Sequence, residues 1–238
     1  MKKMKNIKER VLIFINVIFC LAVCVLNYFY QKRNFDYTLK CITSALFATL
    51  GIINLIYLIY AKVKSVKFYL FIALGLLFAF GGDVAINKNF VIGAGIFALG
   101  HVFFVIGYCY LQKIKALEAV ISGVVFLLSA CFLCFSPIVK FEPDLLRWVC
   151  VLYALIISCM LGKACANFIR QKQAFYLIIA VASLLFFFSD LMLLLDWFVG
   201  LWSWTNEACM ATYYPALCIF AFSLYLKASN FLETKRVL

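Results

Sequence analysis

The sequence predicts an all-α polytopic membrane protein, a bundle of eight transmembrane helices with both termini cytoplasmic. Three observations carry that expectation. The 238 residues are 67% hydrophobic and 13% charged, with a mean hydropathy of +1.06, whereas soluble domains are about half apolar and about a quarter charged. The apolar residues fall into eight runs, each near the roughly 20 residues that a helix needs to cross a bilayer. Basic residues gather at alternate ends of those runs, as cytoplasmic loops require. Lipid cannot satisfy free backbone groups, so the runs are read as helices, and the alternation of barrel strands is absent. Connections are short, without linkers, repeats or low-complexity stretches, which makes residues 1–238 a single integral-membrane domain.

The eight runs are about 11–30, 38–61, 68–86, 90–111, 116–138, 144–167, 173–195 and 208–230. The first follows the basic segment MKKMKNIKER and resembles a signal peptide. It lacks a small-residue cleavage site, so it reads as a retained helix. LAVC at Leu21–Cys24 has Val23 where a lipoprotein signal needs a small residue. Asn16, Cys20, Cys24 and Asn27 form one mildly polar stripe on this run, a packing seam. The second run opens with Lys40. The third carries Gly75, Ala79 and Gly82 before Asp83. In the fourth, His101 shares a face with Gly93, Phe97, Phe104 and Tyr108. Ser122, Ser129 and Ser136 make a second seam on the fifth. The sixth leads to the basic residues Lys163, Arg170 and Lys172. Ala182 and Ser183 precede Asp190 in the seventh, and the eighth opens TYYPAL with Tyr213 and Tyr214.

Charge orients this bundle. With the N-terminus inside, the inner segments hold Lys2, Lys3, Lys5, Lys8 and Arg10; Lys62, Lys64 and Lys67; Lys113 and Lys115; Lys163, Arg170 and Lys172; and Lys227, Lys235 and Arg236. The outer segments hold only Lys32, Arg33, Lys40, Lys88, Lys140 and Arg147. The formal net charge of +12 then matches the anionic inner leaflet and calls for no nucleic acid. No obligate protein partner is evident. The 11 cysteines lie mostly mid-helix, where a free thiol behaves as a small hydrophobe. Cys131 and Cys134 form an isolated pair, and the chain has one histidine, so neither a metal site nor a cofactor is expected.

The acids are the exception to this greasy pattern. Only Asp83 and Asp190 fall inside apolar runs; the other eight acids lie at run ends or in loops. An intramembrane carboxylate is costly and is by default a functional candidate. At 1.5 Å per residue they sit about 4 and about 8 Å from the outer ends of runs three and seven, shallow enough for snorkelling to be the competing reading. Both runs go from inside to outside, so the acids share one face of the membrane. Small residues before each allow close helix approach, and two carboxylates meeting in a half-dry site split into an acid and a base. His101 lies deeper, as a hydrogen-bonded core residue or a partner of the site. Tyr213 and Tyr214 lie near the outer face, as interfacial anchors or as donors to a phosphate or a carboxylate; Lys40 opens the second run on the same side, snorkelling to water or meeting a lipid phosphate.

These residues resemble the lysoplasmalogenase, or YhhN, family of eight-helix membrane proteins. The resemblance rests on Lys40–Cys41; Gly82–Asp83; Phe97, Gly100 and His101; Phe186, Ser189 and Asp190; and Thr212, Tyr213 and Tyr214, in that order on the expected helices. Ala182 and Leu217 depart from the family pattern, where glycine and a polar residue are expected. The resemblance implies hydrolysis of the vinyl ether bond of a lysophospholipid, giving a fatty aldehyde and glycerophospho-ethanolamine or -choline. It implies Asp83 and Asp190 as general acid and general base, with Lys40, His101, Tyr213 and Tyr214 binding substrate. The paired glycines lean toward Asp83 as the acid, but the sequence does not assign the roles. Two other classes stay open. An intramembrane aspartyl protease also uses two helix-borne aspartates, though its signature wants a glycine where Phe80 stands. A transporter or lipid-binding protein would use the acids without catalysis, though no broken helices or matching halves mark one.

Overall fold

The computed structural model describes residues 7–63 and 66–237, with side chains described from Glu9 to Leu226. The basic residues Lys2, Lys3, Lys5, Lys8, Lys64, Lys227, Lys235 and Arg236 lie outside the described side chains. The described residues form eight helices and no strand: α1 Ile7–Lys32, α2 Tyr37–Tyr60, α3 Val66–Ile86, α4 Phe90–Leu111, α5 Ala116–Phe135, α6 Leu145–Gln171, α7 Ala174–Phe198 and α8 Thr205–Val237. All eight are long and apolar enough to cross a membrane.

Several ends have local causes. The Asp36 carboxylate accepts from the Leu39 backbone N–H (3.0 Å) and caps α2. Asn89 does the same for α4 through Ile92 (3.0 Å). Such caps satisfy N–H groups that a helix start leaves unpaired. α5 stops at Phe135 instead of reaching 138, because Ser136 precedes Pro137 and takes an extended backbone (φ −71°, ψ 124°), which the proline ring imposes on its neighbour. Ser136 therefore falls off the expected serine seam. α6 runs on to Gln171 and carries Lys163 and Arg170 inside the helix, not in a cytoplasmic loop.

α8 is the most enclosed helix and α5 the least. α8 packs against α1, α2, α3 and α7; α4 bridges α3 and α6; α5 is held by α6 alone. Glycines set the closest approach, between α3 and α4. A Cβ on Gly82 would stand 2.6 Å from the Phe97 ring, and one on Gly75 would stand 2.5 Å from the Phe104 ring. Of the stripe expected on α1, Asn16 and Asn27 are buried in the packing seam, Cys20 is half-buried and Cys24 is exposed. Asn16 and Asn54 exchange amide hydrogen bonds (2.9 and 2.8 Å), Asn54 also donates to the Ala221 carbonyl (2.9 Å), and Asn27 donates to that of Met210 (3.2 Å). These buried amides fix α1 and α2 on α8, where apolar faces alone would slide.

Candidate functional site

The two intramembrane acids are built into separate clusters. The first joins α2, α3 and α8. Lys40 and Ser44, one helical turn apart, share a face of α2. Ser44 Oγ donates to Asp83 Oδ2 (2.6 Å), and Tyr213 OH donates to the same oxygen (2.7 Å). The Lys40 ammonium lies 3.6 Å from Asp83 Oδ1 and donates to Asn87 Oδ1 (2.9 Å). Tyr214 OH is 3.3 Å from Ser44 Oγ. Asp83 is 1% exposed and Lys40 5%. An ion pair this buried holds because hydroxyls and an amide satisfy what the charges leave over.

The second cluster joins α4, α6 and α7. Tyr153 OH donates to Asp190 Oδ2 (2.6 Å) and lies 2.7 Å from His101 Nε2, which is itself 3.2 Å from Oδ2. Among the described residues, Asp190 Oδ1 accepts no hydrogen bond. The buried Nδ1 of His101 has no partner, and the imidazole packs edge-on against Phe186, ring centres 4.7 Å apart.

The expectation that the acids of the third and seventh helices meet around one cavity is not met. Among the described residues α3 and α7 share no backbone contact. α7 also runs on to Phe198, which leaves Asp190 about 12 Å from its helix end and Asp83 about 4.5 Å from its own. Aromatic rings stand between the clusters: Tyr213 packs on Phe186 (5.3 Å) and on Phe97 (6.0 Å). Gly82 and Gly75, before Asp83, admit the Phe97 and Phe104 rings, and Ser183, before Asp190, meets Tyr108 OH (3.0 Å); neither admits the opposite acid. Nor are Tyr213 and Tyr214 interfacial anchors; both are buried.

Three neighbouring cavities share wall residues in series. A cavity of about 280 Å³, lined by Tyr30, Lys40, Asn87, Asp196, Trp197 and Asn206 among others, opens among the α1–α2, α3–α4 and α7–α8 connections. It shares Ile86 and Leu193 with a cavity of about 50 Å³ beside Tyr153 and Asp190. That one shares Tyr153, Asp190 and Leu194 with an apolar groove of about 630 Å³ between α5, α6 and α7. Asp190 thus lines two of the three, and Lys40 lines the polar one. Asp83, His101, Tyr213 and Tyr214 line none of them.

Sequence reading missed Tyr153, Ser44, Asn87 and Asp196. Ser44 had a signal, its i+4 spacing from Lys40; Tyr153 had only its place as a hydroxyl in the apolar stretch between Arg147 and Ser158. Among the described residues no group of three or more His, Cys, Asp or Glu side chains is placed to hold a metal ion.

The architecture and site define a class: a polytopic helical membrane protein with one fully buried carboxylate and a second, partly buried one beside an apolar groove. The model of the YhhN family matches residues 43–224, most of the chain, and the protein belongs to that family. Lys40 and Cys41 lie just before the matched span. No curated protein and no solved structure matches the chain.

Proposed function

We propose that this protein is a membrane hydrolase that cleaves the vinyl ether bond of a single-chain phospholipid, with Asp190 as the group that acts on the bond. The observation that carries the reading is the order of three neighbouring cavities that share wall residues: the polar one at Lys40, the small one at Asp190 and the apolar groove. A lysoplasmalogen has the same order: a phosphate head, a glycerol, a vinyl ether and one hydrocarbon tail. Laid along that series, its phosphate meets Lys40 and its ether meets Asp190. Its tail follows α7 toward Leu184 in a groove with walls of Leu, Val, Ile and Phe.

One carboxyl then suffices. Protonated Asp190 gives its proton to the alkene carbon distal to the ether oxygen, and the C=C pair forms the new C–H bond. The cation left is an oxocarbenium, stabilised by the carboxylate just formed. Water adds to it and passes a proton back to Asp190, which is restored. The hemiacetal collapses to a fatty aldehyde and a glycerophospho-head group. Tyr153 and His101 hold Oδ2, leaving Oδ1 free to face the substrate. Asp83, closed off behind Tyr213, acts at one remove by fixing Lys40. A protease dyad would need both acids on one water, and the aromatic rings between the clusters count against that.

The test is aldehyde release from a lysoplasmalogen by the purified protein. Asp190→Asn should abolish it while the protein stays folded. Release by wild type that persists in that variant would rule out the mechanism. Tight lipid binding without any aldehyde would leave a non-catalytic lipid-binding protein.

A further inference from the structure

The polar cavity has two charged ends. Lys40 offers a buried ammonium, held by Asn87 and Asp83. Asp196, on the last turns of α7, offers a carboxylate whose Oδ1 accepts from Thr205 Oγ1 (3.0 Å). The single Thr205 hydroxyl proton is shared with the Trp202 carbonyl (2.8 Å), which holds the start of α8 beside the acid. Among the described residues no cation lies within ion-pair distance of Asp196, although Lys40 lines the same cavity. The remaining lining includes the aromatic faces of Tyr30, Phe35 and Trp197, which suit an alkylammonium group.

We propose that Asp196 is the residue that selects the head group: the cavity is a subsite for a dipolar head, phosphate at Lys40 and Asn87, ammonium at Asp196. A head carrying phosphate alone leaves the Asp196 carboxylate unpaired and brings a second negative charge toward it. A neutral polyol head gives up the ion pair. The inference rests on the reading above for the direction in which the lipid lies, but head-group recognition needs no vinyl ether. It can therefore be measured on lysolipids that the protein cannot cleave by the proposed chemistry.

Ester-linked lysophosphatidylcholine, lysophosphatidylethanolamine and lysophosphatidylglycerol of one chain length, below their micelle concentrations, would compete with a fluorescent lysolipid for the full chain in detergent. The two ammonium-bearing lipids should bind about tenfold more tightly, the effect of one modest charge pair. Asp196→Asn keeps an acceptor for Thr205 and should remove the preference without weakening lysophosphatidylglycerol. Asn206→Asp adds a second carboxylate to the same cavity and should steepen it. Equal affinities in the wild type, or a preference that survives Asp196→Asn, would overturn the assignment. A preserved preference in a protein that releases no aldehyde would sink the hydrolase reading alone.

Discussion

The two acids that stand out in the sequence have different work to do, and substitution should separate them. Asp83 neutralises a lysine that is 5% exposed, so Asp83→Asn strands a buried ammonium, a change that costs about 3 kcal/mol or more. Thermal unfolding in detergent should show that loss. Asp190 has a 13% exposed side chain and, among the described residues, no lysine or arginine partner, and Asp190→Asn should leave the melting temperature near wild type. Tyr153→Phe removes the hydroxyl shared by Asp190 and His101. Aldehyde release should fall by about a hundredfold, the lower end of what a positioned proton-transfer group contributes. The chain has a single histidine, so nitrogen-15 labelling of histidine reads His101 alone, and its Nε2 resonance should move in the same variant. Activity lost with that resonance unmoved would mean that Tyr153 only fills space. Asp83 and Asp190 were legible from sequence because a carboxylate in an apolar run has no ordinary reason to be there. Tyr153 and Ser44 were not, because tyrosine and serine are commonplace in membrane helices and only their neighbours give them meaning.

At the scale of elements, the spans and their count were readable because hydropathy reports length directly. Which helices touch was not. In lipid nearly every face is apolar, so periodicity does not mark the buried side, and the expected α3–α7 meeting gave way to α3–α4 and α7–α8 pairs. α5 shows what decides such pairings. It packs on α6 alone, yet it forms one wall of the groove through Val125, Leu128, Ser129, Phe132 and Leu133. Two devices attach it. A side chain at Gly162 would collide with Ser122. One turn nearer the inner end, Glu118 takes both Lys163 (2.6 Å) and a two-pronged contact from Arg170 (2.7 and 2.6 Å), while Lys163 also caps the carbonyls of Gln112 and Lys113. Gly162→Leu should push α5 off its seat and widen the groove. Its expected signature is a raised KM for the lipid, with kcat at saturating substrate far less affected, because Asp190, His101 and Tyr153 do not sit on α5. An unchanged KM would show that the tail does not lie in this groove.

For the whole molecule, the clustering of Lys and Arg orients the bundle, and the structure alters the weight of that argument without reversing it. Lys163 and Arg170 are partly neutralised by Glu118, so they report less on the inner side than free loop charges would. Lys40 is likewise paired with Asp83, which discounts the outer tally as well. What remains in the sequence, Lys2, Lys3, Lys5, Lys8, Arg10, Lys62, Lys64, Lys67, Lys113, Lys115, Lys172, Lys227, Lys235 and Arg236 against Lys32, Arg33, Lys88, Lys140 and Arg147, still favours the end with the first set as cytoplasmic. The polar cavity opens at the opposite end, among the α1–α2, α3–α4 and α7–α8 connections. The groove extends from Ile138, Leu195 and Trp202, at the same end as the cavity, past Asp190 to Leu184 and Leu161, deeper in the bundle. A lipid with its head in the cavity and its tail in the groove therefore stands as it would in the outer leaflet. Eight spans place both termini on one side. A green fluorescent protein joined to the C-terminus should fluoresce in cells, while alkaline phosphatase at the same position should be inactive. Lysoplasmalogen added outside intact cells should then be cleaved without first crossing the membrane. An active phosphatase fusion would invert the bundle and turn the head-group cavity toward the cytoplasmic leaflet, leaving the chemistry at Asp190 intact but changing which pool of lipid reaches it.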